Sequence, residues 1–252
     1  MSNWRAAAQS RTDDMNDHTV KAFSEKLEGL SASIAQMGGL AEAQFAAAVE
    51  AVAKRDTTLA EGAVGGDKRI DALQVDIEDR ALKLLALRQP MAVDLRETLA
   101  AIKIASELER IGDLAKNIAK RAIVLNREPP IRLTASLARM GKQSLAQLKQ
   151  VLDAYSDRNA EAAEAVWKQD GEIDEMYNSL FRELLTYMME DPRTIGLCTH
   201  LLFIAKNMER SGDHATNIAE VVYHMVRADH LAADRPKADT TSETTVPFER
   251  KA

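Results

Sequence analysis

Residues 104–119 and 204–219 are two copies of one sixteen-residue string, with ten identities between them. The shared positions include Ile104/Ile204, Glu109/Glu209, Arg110/Arg210, Gly112/Gly212, Asp113/Asp213 and Asn117/Asn217. Self-similarity at a fixed offset marks a duplicated structural unit. Whatever the first copy folds into, the second must fold into again. The 252-residue chain is thereby restricted to two like units of roughly 100 residues, each able to bury a core.

The unit itself reads as helical. Six prolines, at 90, 129, 130, 192, 236 and 247, leave long uninterrupted spans, and aromatic residues are only 4% of the chain. Leu27, Leu30, Ile34, Met37 and Ala41 recur at helical spacing. The pattern predicts a first helix over about 18–54, broken at "KRDTT", and a second reaching residue 87. Pro90 marks a turn, and a third helix spans about 91–126. "NREPPIRL" then links the halves, because paired prolines do not fit a helix interior.

The second half repeats the plan with helices over about 132–155, 160–190 and 194–228, broken at "SDRNA" and Pro192. The expected fold is all-α, with six long helices in two tandem three-helix bundles related by pseudo-twofold symmetry. The domains would run over 18–126 and 131–228. Residues 1–17 and 229–252 are polar tails, expected to stay unfolded because they carry too little apolar surface to offset chain entropy.

Charge and chemistry exclude several functions. A net charge of −6 and an isoelectric point near 5.5 argue against a nucleic-acid binder, which must neutralise phosphates. The single cysteine, Cys198, lies in an apolar helix pattern and reads as an inert core thiol in a reducing compartment. No apolar leader and no 18-residue apolar run is present, so a cytoplasmic protein is expected, meeting a membrane only through partners. No Glu-x-x-His, phosphate loop or nucleophile elbow occurs, and no catalytic constellation emerges.

What remains is acid. Glu109 and Asp113 stand four apart, as do Glu209 and Asp213, and the preceding helices carry Asp67 with Asp71 and Asp170 with Asp174. Asp71 and Glu109 each lie 19 residues from Pro90, and Asp67 and Asp113 each lie 23. Around Pro192 the counts are 18 and 17 for Asp174 and Glu209, and 22 and 21 for Asp170 and Asp213. Equal counts in an antiparallel hairpin mean equal depth, so each half should gather four carboxylates at one level, roughly 28 Å from its turn.

The acid lines run into Ile102, Leu99 and Leu95 on one helix and Leu82 and Leu85 on the other, which suggests that they face or border a neighbouring helix. Gly112 and Gly212 each cost about 1 kcal/mol relative to alanine, so something approaches closely there. Four carboxylates together need protons, basic partners or a cation. An all-oxygen set suits Mg²⁺, Mn²⁺ or Ca²⁺, and iron or zinc also bind carboxylates. Arg110 and Arg210 could offset the second acid of each pair, and Asn117 and Asn217 could add amide oxygens. His214 points away from Asp213 around the helix, which suits a packing or solvent role better than ligation. Two other readings stay open: a structural scaffold with solvated acids, and a carboxylate-bridged metallo-enzyme, against which the missing histidines weigh.

"MAVDLRETLAAIKIASELERIGDLAKNIAK" and "NMERSGDHATNIAE", with "LLALRQP" and "YMMEDP", closely resemble the PhoU family of phosphate-transport accessory regulators. The resemblance covers about residues 18–228. It implies two three-helix repeats that bind metal through Glu/Asp-x-x-x-Asp motifs, here Glu109, Asp113, Glu209 and Asp213 with Asp67, Asp71, Asp170 and Asp174. It implies no enzymatic activity. The partners it implies are the ATPase subunit of the phosphate ABC transporter and the phosphate sensor histidine kinase, which the protein would restrain as a negative regulator, commonly as a homodimer. Gln74 stands where the family often has an acid, and Ser211 replaces an apolar residue of "ERIGD".

Overall fold

The computed structural model describes residues 2–88, 92–129, 134–231 and 237–243, with side chains described from residue 23 onward. The elements are α1 (Ser2–Lys54), α2 (Thr57–Arg88), α3 (Val93–Leu125), α4 (Thr134–Ser156), α5 (Ala160–Lys168), α6 (Asp170–Glu190) and α7 (Ile195–Arg227). Among the described residues there is no strand. The expected turn at Pro90, the linker residues 130–133 and the tail beyond 243 lie outside the described residues.

Three differences from the sequence reading stand out. First, α1 begins at Ser2, where an unfolded tail was expected. Ala6, Ala7 and Ala8 favour helix, no glycine or proline intervenes before Gly29, and extending a formed helix costs little. Second, the expected fifth helix is two segments, because Gln169, with φ −85° and ψ −1°, interrupts it between α5 and α6. The two segments form one arm, so the six-arm plan stands. Third, residues 237–243 of the expected C-terminal tail fold back onto α6 and α7, ending in a 3-10 turn at Thr241–Glu243.

The arms are punctuated alike in both halves. Arg55 (φ 56°) and Arg158 (φ 51°) reverse the chain in the left-handed region after α1 and α4. Asp56 Oδ1 then accepts from the Leu59 amide at 2.9 Å, and Asn159 Oδ1 accepts from the Ala162 amide at 3.0 Å. Each bond satisfies a helix-start N–H that would otherwise lack a partner.

Leu27, Leu30, Ile34, Met37 and Ala41 are buried, as their spacing implied, and Phe45 extends their stripe. The core is continuous across both halves. Alanines 101, 105, 115 and 119 on α3 and 205, 215 and 219 on α7 are buried, and these two helices pack on one another along the centre. Across the α1–α4 contact, a Cβ on Gly38 would meet Leu152 at 2.7 Å, and one on Gly141 would meet Val49 at 2.6 Å. The two glycines share one spacing with the two residues that cover them, so this reciprocal packing is the pseudo-twofold relation made physical. Cys198 is buried, in keeping with an inert thiol.

Candidate functional site: two carboxylate clusters

In both hairpins the acids lie near enough for their charges to act on one another. In the first half, the charges of Asp113, Asp71 and Asp67 all act on Glu109. Lys116, one turn beyond Asp113 on α3, bonds Asp67 on α2 and reaches Asp113 at 3.1 Å. This lysine was missed in the sequence. Its i,i+3 spacing from Asp113 was the available signal. Asp67 is buried, Glu109 and Asp113 are partly buried, and Asp71 is exposed. Arg110 lies outward, 3.4 Å from Glu109 and 4.0 Å from Asp113.

The second cluster is drier. Asp170, Asp174 and Glu209 are each at most 5% exposed. Asp174 is affected by Asp170 and Asp213, and Glu209 by Asp213 and Asp174. Here the lysine comes from the other side of the motif: Lys206 donates to Glu209 at 2.9 Å and to Asp239 at 2.8 Å. Thr216, at the position of Lys116, donates to Asp170 at 2.9 Å and accepts from Gln147 at 3.1 Å. A hydrogen-bond chain thus replaces the Lys116 ion pair of the first half. Arg210 is exposed.

A third arm contributes to each site. Gln44 of α1 donates to the Ala63 carbonyl at 2.9 Å, while Gln147 of α4 holds Thr216. The glycines of the repeated motif lie directly beneath them. A Cβ on Gly112 would meet Ile70 at 3.1 Å and Gln44 Oε1 at 3.3 Å; on Gly212 it would meet Ile173 at 2.9 Å and Gln147 Oε1 at 3.0 Å. The close approach inferred from these glycines is therefore made by side chains of neighbouring helices.

Four buried oxygens lack a hydrogen-bond partner among the described residues: Gln44 Oε1, Gln147 Oε1, Glu109 Oε2 and Glu209 Oε2. They are the same two positions in each half. Buried acceptors are rarely left so. Burial pushes Glu109 up from its usual range, with Asp113, Asp71 and Asp67 adding to the rise against Arg110. Burial drives Glu209 further, to about 7, against the opposing pull of Lys206. Asp174 is also raised by burial, although the amides of Ala238 and Asp239 oppose it.

Other expectations change. Leu99 and Leu82 are 43% and 57% exposed, so the apolar line beyond the acids is an open stripe there and not a helix contact. The physical reason is that α2 and α3 bury the adjacent faces carrying Ile77, Ala81, Ile104 and Leu108. Asn117 is exposed, and Asn217 donates to Glu107 at 3.1 Å across the α3–α7 seam. His214 joins the same Glu107 at 2.7 Å, a polar contact across the seam in place of the packing or solvent role expected of it. Among the described residues, no three acidic, histidine or cysteine side chains converge as a ready-made metal grip. No described helix is long and apolar enough to cross a membrane.

The fold is a duplicated helical unit, and known proteins share it. The family model for the PhoU domain matches residues 34–122 and again 137–222. A phosphate-specific transport system accessory protein PhoU homolog of Caulobacter vibrioides is 54% identical over 91% of this chain and 100% of its own. The homolog of that name from Rhizobium meliloti is 50% identical over 89% of this chain and 95% of its own. The crystal structure of PhoU from Pseudomonas aeruginosa superposes with a TM-score of 0.80 at 38% identity, covering 82% of this chain and all of that one. These relatives carry accessory-protein names rather than enzyme names, in line with the absence of a catalytic constellation. With both repeats matched and half the residues shared with such relatives, the chain belongs to the PhoU family.

Proposed function

We propose that the protein is a cytoplasmic, metal-binding adaptor that restrains phosphate uptake and phosphate-starvation signalling. Its partners would be the ATPase subunit of a phosphate ABC transporter and a phosphate sensor histidine kinase, and it would act as a homodimer. Its relatives' names support the phosphate side of this reading. The observation that supports the metal side is that Glu109 Oε2 and Glu209 Oε2, buried at one position in both halves, accept no hydrogen bond, the first having the Arg110 guanidinium 3.4 Å away.

Those oxygens fit a hard cation. Asp67, Asp71, Glu109 and Asp113 would hold one, and Asp170, Asp174, Glu209 and Asp213 another, with Mg²⁺, Mn²⁺, iron or zinc as candidates. A bound cation would neutralise each cluster and pin its two helices together. The chain's own residues set the terms. Lys116 and Lys206 already supply one positive charge to each cluster, so an ion must compete with or displace an ammonium. Gln44 and Gln147 place further oxygens beside the motif glycines.

Those same lysines favour a second reading, in which the clusters are neutralised internally and the fold is a structural scaffold. One experiment separates them. Deleting the gene should leave phosphate-starvation genes active in rich phosphate, and restoring the wild-type chain should silence them. The doubly substituted chain Asp113→Asn with Asp213→Asn should restore repression poorly and purify with less metal. Normal repression in the deletion strain would sink the regulatory reading. Full rescue by a metal-free double variant would establish the scaffold.

A further inference from the structure

We infer that the α6–α7 groove over the second carboxylate cluster is a binding site for a short peptide segment, occupied in cis by residues 237–241, which keeps a cation out of that cluster. The inference rests on the metal reading above and concerns only the second cluster.

The contacts are those of main-chain recognition. Asp174 Oδ2 accepts from the amides of Ala238 at 2.8 Å and Asp239 at 3.2 Å. Asn178 clamps the two peptide units flanking Asp239, donating to the Ala238 carbonyl at 2.6 Å and accepting from the Thr240 amide at 3.2 Å. Lys206 reads the one acidic side chain, Asp239, at 2.8 Å. Lys237 lies 3.9 Å from Asp213, and Tyr177 bonds Thr241. Three consecutive amides are therefore held by two buried side chains. Such a grip selects a backbone whose successive N–H groups turn to one side, with an acid at one position.

Comparison with the first half separates this groove from the inherited repeat. The acids are the same in both halves, but the residues that hold the segment are not. At the spacing relating Asp71 to Asp174, Tyr177 corresponds to Gln74 and Asn178 to Val75. Val75 is 64% exposed and has no clamp to offer. Lys206 corresponds to Ser106. The segment also lies beyond residue 222, where the second family match ends. The occupant thus lies outside the shared unit, and the groove residues differ between the two halves.

Occupancy and cation binding oppose each other at Asp174. Two N–H dipoles already point at its Oδ2, and the Lys206 ammonium is held between Glu209 and Asp239. A cation there would face those positive ends, and the segment would have to leave. The first cluster carries no such cover among the described residues.

The test uses the full chain, the full-length variant Asn178→Val with Asp239→Ala, and a chain ending at residue 231. Each is titrated with Mn²⁺ in an Asp113→Asn background that silences the first cluster, and amide exchange is followed at 238–240. The intact chain should protect those amides without metal and lose the protection on adding Mn²⁺. Both released forms should bind Mn²⁺ at the second cluster about tenfold more tightly, as expected for two net hydrogen bonds no longer competing. Equal affinity in all three chains, or free exchange at 238–240 without metal, overturns the inference. If no chain takes up Mn²⁺ even with Asp113 restored, the metal reading falls, and the exclusion falls with it.

Discussion

The two carboxylate clusters began as one, and they now solve the same electrostatic problem differently. The first is open: Asp71 is at the surface, and Lys116 arrives from the C-terminal side of the motif to join Asp67 and Asp113. The second is closed: its lysine arrives from the N-terminal side, a Thr216–Gln147 chain holds Asp170, and residues 237–241 cover it. Duplication preserved the acids and left their compensation to drift. The lesson is that gathered carboxylates, more than any one partner, are the shared element. Burial then sets how hard each cluster presses for a positive charge.

The comparison can be broken by substitution, with unfolding measured in chelator. The largest effect should come from Thr216→Val, which leaves the buried Gln147 amide without its hydroxyl acceptor and removes one hydrogen bond to Asp170. A loss of about 2–3 kcal/mol is expected from the stranded amide and the lost charge-assisted bond. A cost below about 0.5 kcal/mol would show that the chain carries no load in the second half.

Next comes Glu209→Gln. The folded carboxyl titrates near 7 and the ordinary one near 4.5, so the folded state binds the proton more tightly. Stability therefore falls as pH rises through this window, and the cost is full above pH 7 and absent below about 4.5. Glu209→Gln should gain about 2 kcal/mol at pH 8 and almost nothing at pH 4.5. The gain from Glu109→Gln should be clearly smaller, since its carboxylate is the more solvated. Equal gains would erase the open-versus-closed distinction.

Glycine replacement should separate the halves more finely. Gly212→Ala forces Ile173 or Gln147 to shift and should cost about 1 kcal/mol net, overpacking outweighing the helix-propensity gain. Gly112→Ala meets slightly looser neighbours and should come out near neutral. The smallest effect belongs to Val75→Asn, an exposed change that should stay within about 0.5 kcal/mol. It tests whether a clamp residue alone matters where no segment is seated. A large change there would mean that the first cluster has its own cover.

Much of this was legible beforehand. The helix breaks at Arg55–Asp56 and Arg158–Asn159 were visible because turn residues act locally. The depth of the acids followed from counting, since rise per residue is nearly constant. Facing was harder. Leu82 and Leu99 looked like seam residues because periodicity assigns residues to stripes without saying which stripe meets a neighbour. Asn217 was placed with the acids by its spacing, yet Glu107, on a helix of the other half, holds it. The polar tail was read as unfolded because composition weighs apolar surface, whereas residues 237–241 are held by polar contacts to a site formed elsewhere.

By itself, the sequence determined the helical class, the duplication and the breaks between arms, and it singled out four acids per hairpin as candidates. All of these depend on local propensity or on counting along a helix. Only the tertiary structure decided which groups compensate those acids. It alone also seats Gly38 beneath Leu152 and Gly141 beneath Val49, joining the repeats in one core. Such pairings join residues about 45 to 115 positions apart. They depend on how helices rotate and dock, and that is settled by the packing of the whole core rather than by any local string.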